Sequence, residues 1–544
     1  MSDRLDVLVV GAGPIGLTLA CHLQRLGLSV RLIEKRAGPS VHSKAIGLQY
    51  RVSEVLATLG VIDRFLAQGG SPTTVNLYTG QERLIQLRFV APTGISGRDA
   101  FRPCAILIPQ SQTEQILIQY FRELGGTVEW ETELVGYSQQ PDGVIAQVQR
   151  LGSMHNITAD WLVSCEGAHS VVRKRADIAF KGKAYPLAFF MADVRLESAL
   201  PHTENHVWLH RDGSFAALPL PEPDTWRLFI EVTRQSDHVQ GSITLEDIRR
   251  FMGKRAPGMN ARISGEPLWL SDFRISCRMV DRMHDERVFL AGDAAHIHSP
   301  TGGQGITTGM QDAVNLAWKL ARVCRGAPRA LLNTYDEERL PHAAEVLRET
   351  DRTTSILFAP NPLLRVLRDF VVLPILRSPW VQRRMFGKFS QLHVHYRGSS
   401  LSSDRAGWWP SRGIRAGDRA PDVTFVRGPS RTRTTLFTLM GPLRPVVLFS
   451  GVRQAADLCE GLRSLDIDAY VVTESETPPP SSHALCLFDV HGDFARLYGS
   501  KPNSVLLIRP DGHVGLTLSP VRLEELADYL ELLCDPAQVR LALR

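Results

Sequence analysis

The first thirty-four residues already commit the chain to one local architecture. Leu5-Asp6-Val7-Leu8-Val9-Val10 is a short apolar run. It leads into Gly11-Ala12-Gly13-Pro14-Ile15-Gly16, a helix-like stretch to Gly27, and then Ser29-Val30-Arg31-Leu32-Ile33, ending on Glu34 and Lys35. That order is strand, glycine turn, helix, strand, acid. Gly11 permits the tight turn, Gly13 lets a pyrophosphate approach the backbone, and Gly16 lets the helix pack on the strand. The helix N-terminus then faces the phosphates. Glu34 can accept hydrogen bonds from a ribose diol. Glycine spacing alone is a weak signal, but here the strand, the helix and the acid all stand at the expected distance, so a bound dinucleotide is expected.

At 544 residues the chain has room for about three domains. A hydrophobic content of 44% with 22% charged residues is ordinary for a soluble globular protein. A net charge of +5 is small for this length, and no Lys/Arg block with interleaved aromatics occurs, so nucleic acid is not an expected partner. Asp3 and Asp6 stand where a signal peptide would be basic, and no run of about eighteen apolar residues exists, so no membrane span is expected. The eight cysteines are scattered, with no CxxC and no zinc-ligand pair. Free thiols in a reducing cytoplasm are the expected state.

Further along, Ser111–Leu124 has helical spacing, and Val128–Val148 reads as a β-hairpin turning at Pro141-Asp142-Gly143. Trp161–Cys165 is a short buried strand. From about Tyr185 to Ser276 the texture changes to alternating strands with polar turns, which predicts an inserted antiparallel sheet. Its aromatics Phe189, Phe190, Trp208, Phe215 and Trp226 divide between pocket walls and core, with core the commoner fate. Arg287–Ala291 returns to the buried parallel-strand type. A glycine-rich loop and a helix from Thr308 to about Val323 follow. Ser399–Asp422 is polar and rich in Gly, Ser and Arg, and reads as a linker into a last domain of four strands and a final helix.

Three separated segments converge on one ligand: the glycine turn with Glu34, Cys165-Glu166-Gly167-Ala168-His169-Ser170, and Gly292-Asp293-Ala294-Ala295-His296 continuing through Pro300-Thr301-Gly302-Gly303-Gln304-Gly305-Ile306-Thr307. Over roughly residues 5 to 350 the chain resembles the class A FAD-dependent aromatic monooxygenases of the p-hydroxybenzoate hydroxylase type. Asn315–Leu320 and Tyr335–Pro341 also match that family.

The resemblance implies FAD as cofactor and NADPH or NADH as co-substrate. It implies an α/β fold with a Rossmann-like FAD-binding domain over 1–180 and 275–355. An inserted β-sheet substrate domain would span 181–274, and a helical connection and linker 356–415. Gly11, Gly13, Pro14, Ile15, Gly16, Glu34 and Lys35 would hold the adenosine diphosphate part, with Lys44 standing where the family often has arginine. Gln110, Asp293, Gly303, Gly305, Ile306 and Thr307 would hold the flavin part. Backbone N–H groups of Ile306 and Thr307, opening a helix, can stabilise negative charge on the flavin. The Pro300 carbonyl would orient a phenol. The family's Asp-Gly is Glu166-Gly167 here, and its Asn is Thr307. His296 and His298 lack a third metal ligand, so no metal is expected and His296 reads as a core histidine supporting the loop.

Residues 416–544 resemble a thioredoxin-like domain lacking CxxC: after Phe449-Ser450 the chain reads Gly451-Val452-Arg453-Gln454. Dithiol chemistry is therefore not expected, which leaves packing or homodimerisation as the role of this domain. The implied activity is NAD(P)H-consuming hydroxylation of a phenolic, aromatic or polycyclic polyketide substrate by O2 through a flavin C4a-hydroperoxide. Epoxidation or Baeyer–Villiger-type oxidation of a polyketide is the alternative on the same fold.

Overall fold

The computed structural model describes residues 4–41, 43, 45–71, 74–88, 105–232, 243–299, 303–357, 366, 368–406, 414–428, 430–452, 454–474 and 485–543. The chain opens with β1 (Leu5–Val10), α1 (Pro14–Arg25) and β2 (Val30–Ile33). Next come α2 (Tyr50–Thr58), the hairpin β3 (Thr74–Thr79) and β4 (Glu82–Arg88), and α3 (Gln110–Glu123). The strands β5 (Thr132–Gln139), β6 (Val144–Arg150) and β7 (Ser153–Ser164) follow. A second group is β8 (Phe180–Glu197), β9 (Glu204–Trp208), β10 (Phe215–Pro219), β11 (Thr225–Val232), α4 (Leu245–Arg255) and β12 (Arg262–Val280). The chain then returns through β13 (Val288–Leu290) to the long helices α5 (Gly305–Cys324) and α6 (Thr334–Leu357), and on to α7 (Pro379–Phe389). Last come β14 (Ser403–Ala406), β15 (Val446–Ser450), β16 (Asp468–Thr473), β17 (Ser504–Ile508) and β18 (Val514–Ser519).

The first sheet is parallel at its centre, in the order β13–β7–β1–β2. Val9 lies opposite Val163 and Val163 opposite Phe289. These side chains have no exposure, as a parallel sheet covered on both faces requires. β7 changes partner along its length. Ser153–Ala159 pairs antiparallel with β6, and Ala159–Ser164 pairs parallel with β1.

The second sheet has the order β12–β8–β11–β10–β9–β3–β4, with His296–Ile297 on the outer edge of β12. It is not wholly antiparallel, and it is not built from one segment. β9 pairs parallel with β3, which lies far earlier in the chain. Local alternation reveals a strand but not its distant neighbour. Helix α4 covers one face, whose core includes Phe190, Trp208, Phe215 and Trp226. Four of the five aromatics singled out above therefore serve packing. The opposite face carries Met191, Asp193, Leu218, Arg227 and Phe229, since Met191 lies opposite Phe229 and Asp193 opposite Arg227.

The third sheet has β15 at its centre, parallel to β16 and antiparallel to β17. β14, inside the stretch that composition marks as a linker, is its edge strand, paired parallel with β18. Polar composition is compatible with an edge strand, since only one side of it is covered.

A buried ionic cluster fastens this third sheet to α5 and α6. Arg509 meets both carboxylate oxygens of Glu338 at 2.5 and 2.8 Å. Lys319 reaches Glu338 at 2.7 Å. Asp511 accepts from Trp318 at 3.1 Å and Asn315 at 3.2 Å. Burial pushes the Glu338 carboxyl up, but Arg509 and Lys319 outweigh it and hold it below its ordinary value. Asp312 goes from 3.8 to about 2: burial opposes the shift, and Arg339 and His296 overcome it.

In acid, both groups bind fewer protons folded than unfolded. Their stabilisation is complete above the ordinary carboxylate range and is lost as pH falls toward about 2. His513 acts at higher pH. Burial lowers it from 6.5 to about 4, so the unfolded chain is protonated first and stability declines as pH falls through that window. Calorimetry across pH should show a shallow loss of Tm beginning near 6.5 and a steeper one below 4. Glu338→Gln should flatten the lower limb, and Glu338→Ala, which leaves buried Lys319 without a carboxylate and Arg509 with Asp511 alone, should cost about 3–5 kcal/mol. An acid limb unchanged in Glu338→Gln would contradict this account.

Candidate functional site

The glycine turn sits between β1 and α1, against the end of β7. Gly11 has φ +102°, and a Cβ there would lie 2.5 Å from the Cys165 carbonyl oxygen. A Cβ on Gly16 would lie 1.9 Å from the Gly11 carbonyl oxygen. Both glycines are demanded by the protein's own packing. Gly13 differs: a Cβ there would meet nothing within 4 Å. Open space beside the N-cap of α1, with Pro14 at the first helical position, fits a phosphate approaching the free N–H groups. Ile15 wedges against Gly292 and Gly309, where added Cβ atoms would come within 3.0 and 2.6 Å of its side chain. It locks the first turn of α1 onto α5.

Glu34 is 7% exposed at the end of β2. It accepts from the Ala12 N–H at 2.8 Å and the Arg36 N–H at 3.1 Å, and pairs with the Arg36 guanidinium at 3.1 Å. Burial pushes its carboxyl up, but Arg36 and the two backbone bonds bring the net shift below the ordinary value. An ionised carboxylate has about four acceptor positions, so a diol can still be accommodated. Lys35 is exposed. The basic residue engaged at this strand end is Arg36, which also reaches buried Glu114 at 3.5 Å. Arg36 is not among the residues expected above; its signal in the sequence is a cation two residues after the acid. Gln110 opens α3 and donates to Glu114 at 2.9 Å, so it belongs to the same polar cluster.

Glu166 turns back on its own segment. It accepts from Ser164 and Ser170 at 2.8 Å each and from the Val172 N–H at 3.2 Å, capping the short helix Val171–Arg175. The longer side chain is thereby occupied locally.

Asp293 lies exposed in the turn Gly292–Ala294 directly after β13. Gly303 has φ +61°, in the left-handed region that favours glycine, and Gly305 begins α5 with Gln304 as N-cap. Thr308 N–H to the Gln304 carbonyl, at 2.9 Å, opens the helical ladder. The N–H groups of Ile306 and Thr307 thus precede it and are available to a ligand. The Thr307 hydroxyl is turned inward and accepts from the Gln49 N–H at 3.1 Å. Lys44, Pro300, Thr301 and Gly302 lie outside the described residues.

Behind this loop His296, 2% exposed, meets Asp312 at 2.7 Å. Asp312 also accepts from Arg339 at 2.7 Å and from the Gly292 N–H at 3.0 Å. One buried carboxylate therefore ties the Gly292–Asp293 turn, the loop histidine and α6 to α5. Tyr335 adds a bond to the Leu290 carbonyl at 2.9 Å. His206 is buried and stacked with Tyr78 and Trp208. Among the described residues no group of three or more His, Cys, Asp or Glu could hold a metal ion, and no helix is long and apolar enough to cross a membrane.

Residues 4–350 match the family model described as FAD binding domain. The chain is 32% identical to 6-methylpretetramide 4-monooxygenase of Streptomyces rimosus, over 94% of this chain and 90% of that one. The chain belongs to the FAD-dependent monooxygenases. Among solved structures it is similar to the OxyS anhydrotetracycline hydroxylase from Streptomyces rimosus, with TM-score 0.77, 31% identity, and coverage of 98% and 99% of the two chains. It is also similar to CabE, an aromatic hydroxylase from angucycline biosynthesis, with TM-score 0.76, 27% identity, and coverage of 98% and 100%.

The residues present fit FAD: open space at Gly13, a buried ionised acid at the end of β2, and N–H groups at the start of α5 that no group among the described residues claims. In this monooxygenase Gly13→Ala should leave the melting temperature of the apoprotein unchanged while weakening FAD binding, and Gly16→Ala should destabilise the apoprotein itself. Thermal melts and FAD titration of both variants test this. Equal loss of apoprotein stability in the two would contradict it.

Proposed function

We propose that this monooxygenase hydroxylates a polycyclic aromatic substrate of the phenolic polyketide class, consuming NAD(P)H and O2. The observation that carries this reading is the extent of the similarity. It runs over more than nine-tenths of the chain, including the second sheet, and the relatives concerned are a 6-methylpretetramide monooxygenase, an anhydrotetracycline hydroxylase and an angucycline-pathway hydroxylase.

FAD, when bound, supplies the oxygen-activating chemistry; the chain supplies binding, orientation and charge. Gly13 admits the pyrophosphate, Glu34 takes the ribose diol, and Asp293 and Gln110 take polar groups of the flavin half. The Ile306 and Thr307 N–H groups stabilise negative charge where α5 begins. By family resemblance, Lys44 assists the phosphates and the Pro300 carbonyl orients the phenol. His296–Ile297, the edge strand of the second sheet, leads directly into this loop. The sheet face that α4 leaves uncovered offers Met191, Leu218 and Phe229 as apolar walls for a flat ring. Arg227, fully buried and bonded twice to Asp193 at 2.7 Å, stiffens that face.

A panel of simple phenols, anthraquinones and naphthacene-type phenols, assayed with NADH and with NADPH under labelled dioxygen, tests the proposal. The expected result is nucleotide oxidation that is slow alone, rises several-fold with a polycyclic phenol, and places one labelled oxygen in the product. Oxidation at one unchanging rate that yields only peroxide would overturn it.

Residues 416–544 are read as a thioredoxin-like module without redox activity, on the strength of central β15 beside β16 and β17 and the missing cysteines after it. Cys459, Cys486 and Cys534 are buried, and burial pushes the Cys459 thiol up to about 12. Replacing all three with alanine should leave turnover within about twofold. Loss of turnover with native circular dichroism and full FAD content would refute the redox-inactive reading.

A further inference from the structure

Gln391 is fully buried, and its backbone takes φ +59°, a left-handed conformation uncommon for a residue other than glycine. It follows α7 directly. Its N–H donates to the Lys388 carbonyl at 3.1 Å, and the preceding Ser390 carbonyl accepts from the Arg51 N–H at 3.2 Å. The backbone is thereby pinned from both sides.

The side chain points at the start of α5. Its Nε2 donates to the Thr308 hydroxyl at 3.0 Å and stands 3.5 Å from the Gln304 side-chain oxygen. Its Oε1 accepts from Gln311, whose amide also donates to the Thr307 carbonyl at 3.1 Å. Thr308 in turn donates to the Gln304 carbonyl at 2.9 Å. One carboxamide thus spans Gln304, Thr308 and Gln311, which at these spacings share a helix face. Gln304 is the N-cap of α5 and lies inside the loop from Gly303 to Gly305.

An apolar contact could pack this face at less cost. Burying several amides and a hydroxyl is tolerable only when they find partners; here each named nitrogen and the hydroxyl has one, the Gln311 Oε1 alone having none among the described residues, and such a network favours one arrangement. Helix α5 leaves only the first-turn N–H groups free, and their direction is set by how that turn is held.

We propose that Gln391 is a positioning residue for the flavin: it fixes the first turn of α5 so that the Ile306 and Thr307 N–H groups point at the negatively charged end of the reduced ring. It touches the helix and not the cofactor. The inference rests on the reading that these two amides face the flavin.

Two variants separate positioning from simple packing. Gln391→Gly suits the left-handed backbone and removes the amide. Gln391→Met keeps the length and removes the polarity. Purified apoprotein is titrated with FAD, melted, and, once loaded, measured by spectroelectrochemistry. Wild-type protein should raise the reduction potential of FAD above that of free FAD. Gln391→Gly should melt within a few degrees of wild type as apoprotein, bind FAD about 5–10-fold more weakly, and move the potential toward the free value. Gln391→Met should move the potential in the same direction. Thr308→Val combined with Gln391→Gly should add little beyond either change alone.

A wild-type potential no higher than that of free FAD would overturn the reading of the Ile306 and Thr307 amides, and the role of Gln391 with it. A raised wild-type potential that persists in folded Gln391→Gly, with unchanged FAD affinity, would overturn the role of Gln391 alone. A variant that loses melting temperature while keeping the wild-type potential would do the same.

Discussion

Helix α5 is buried along its whole middle, from Thr307 to Arg322, yet it is not an apolar helix. Thr307, Thr308, Gln311, Asp312, Asn315, Lys319 and Arg322 all lie inside the protein, and a buried polar group without a partner is costly. Each of these residues therefore constrains another part of the chain. Gln49 satisfies Thr307 and Gln391 satisfies Thr308. His296 and Arg339 satisfy Asp312, and Glu338 satisfies Lys319. The Leu465 and Asp466 carbonyls receive Arg322 at 2.8 and 2.6 Å. The helix whose first turn is proposed to face the flavin is also the axis to which the third sheet is bolted.

That arrangement joins stability to chemistry. The N–H groups that open α5 are useful only if the helix cannot rotate or slide. Ionic partners on α6 and on the Arg509–Gly512 turn, and the Gln391 carboxamide after α7, hold it from several directions. Ile15 adds an apolar wedge at the N-terminal end. The module with β15 at its centre, which has no dithiol after that strand, thereby contributes rigidity to a site it does not line.

Local patterns were legible in the sequence where one segment carries the whole signal. The turn and packing roles of Gly11 and Gly16 follow from spacing and the fold requires both glycines, while Gly13 has open space beside it. The hairpin at Pro141–Gly143 follows from turn chemistry, and the helices expected over Ser111–Leu124 and from Thr308 to about Val323 follow from periodicity, the observed ones starting one and three residues earlier at Gln110 and Gly305. What stayed hidden is pairing at a distance. Nothing in the sequence joins Glu338, inside the Tyr335–Pro341 match, to Arg509, which lies 171 positions further along the chain. Alternation gave strands in the second sheet, but not that Trp208 and Trp226 face α4 instead of the site. Ser403–Ala406 looks like linker because a one-sided edge strand needs little hydrophobicity. Gln391 carries no motif at all; only its conformation and its partners mark it.

The cluster of Glu338, Lys319, Arg509 and Asp511 has a bearing on how the molecule is made. A ribosome delivers the chain from its N-terminus at roughly 5–20 residues per second. The glycine turn, both long helices and the Gly303 loop emerge well before Arg509 and Asp511. Through that interval Glu338 has Lys319, Asn315 and, once it emerges, Ser399, but not Arg509, and the Trp318 indole lacks Asp511. The interior around α5 is thus completed only once the turn between β17 and β18, made long after the helix itself, has emerged.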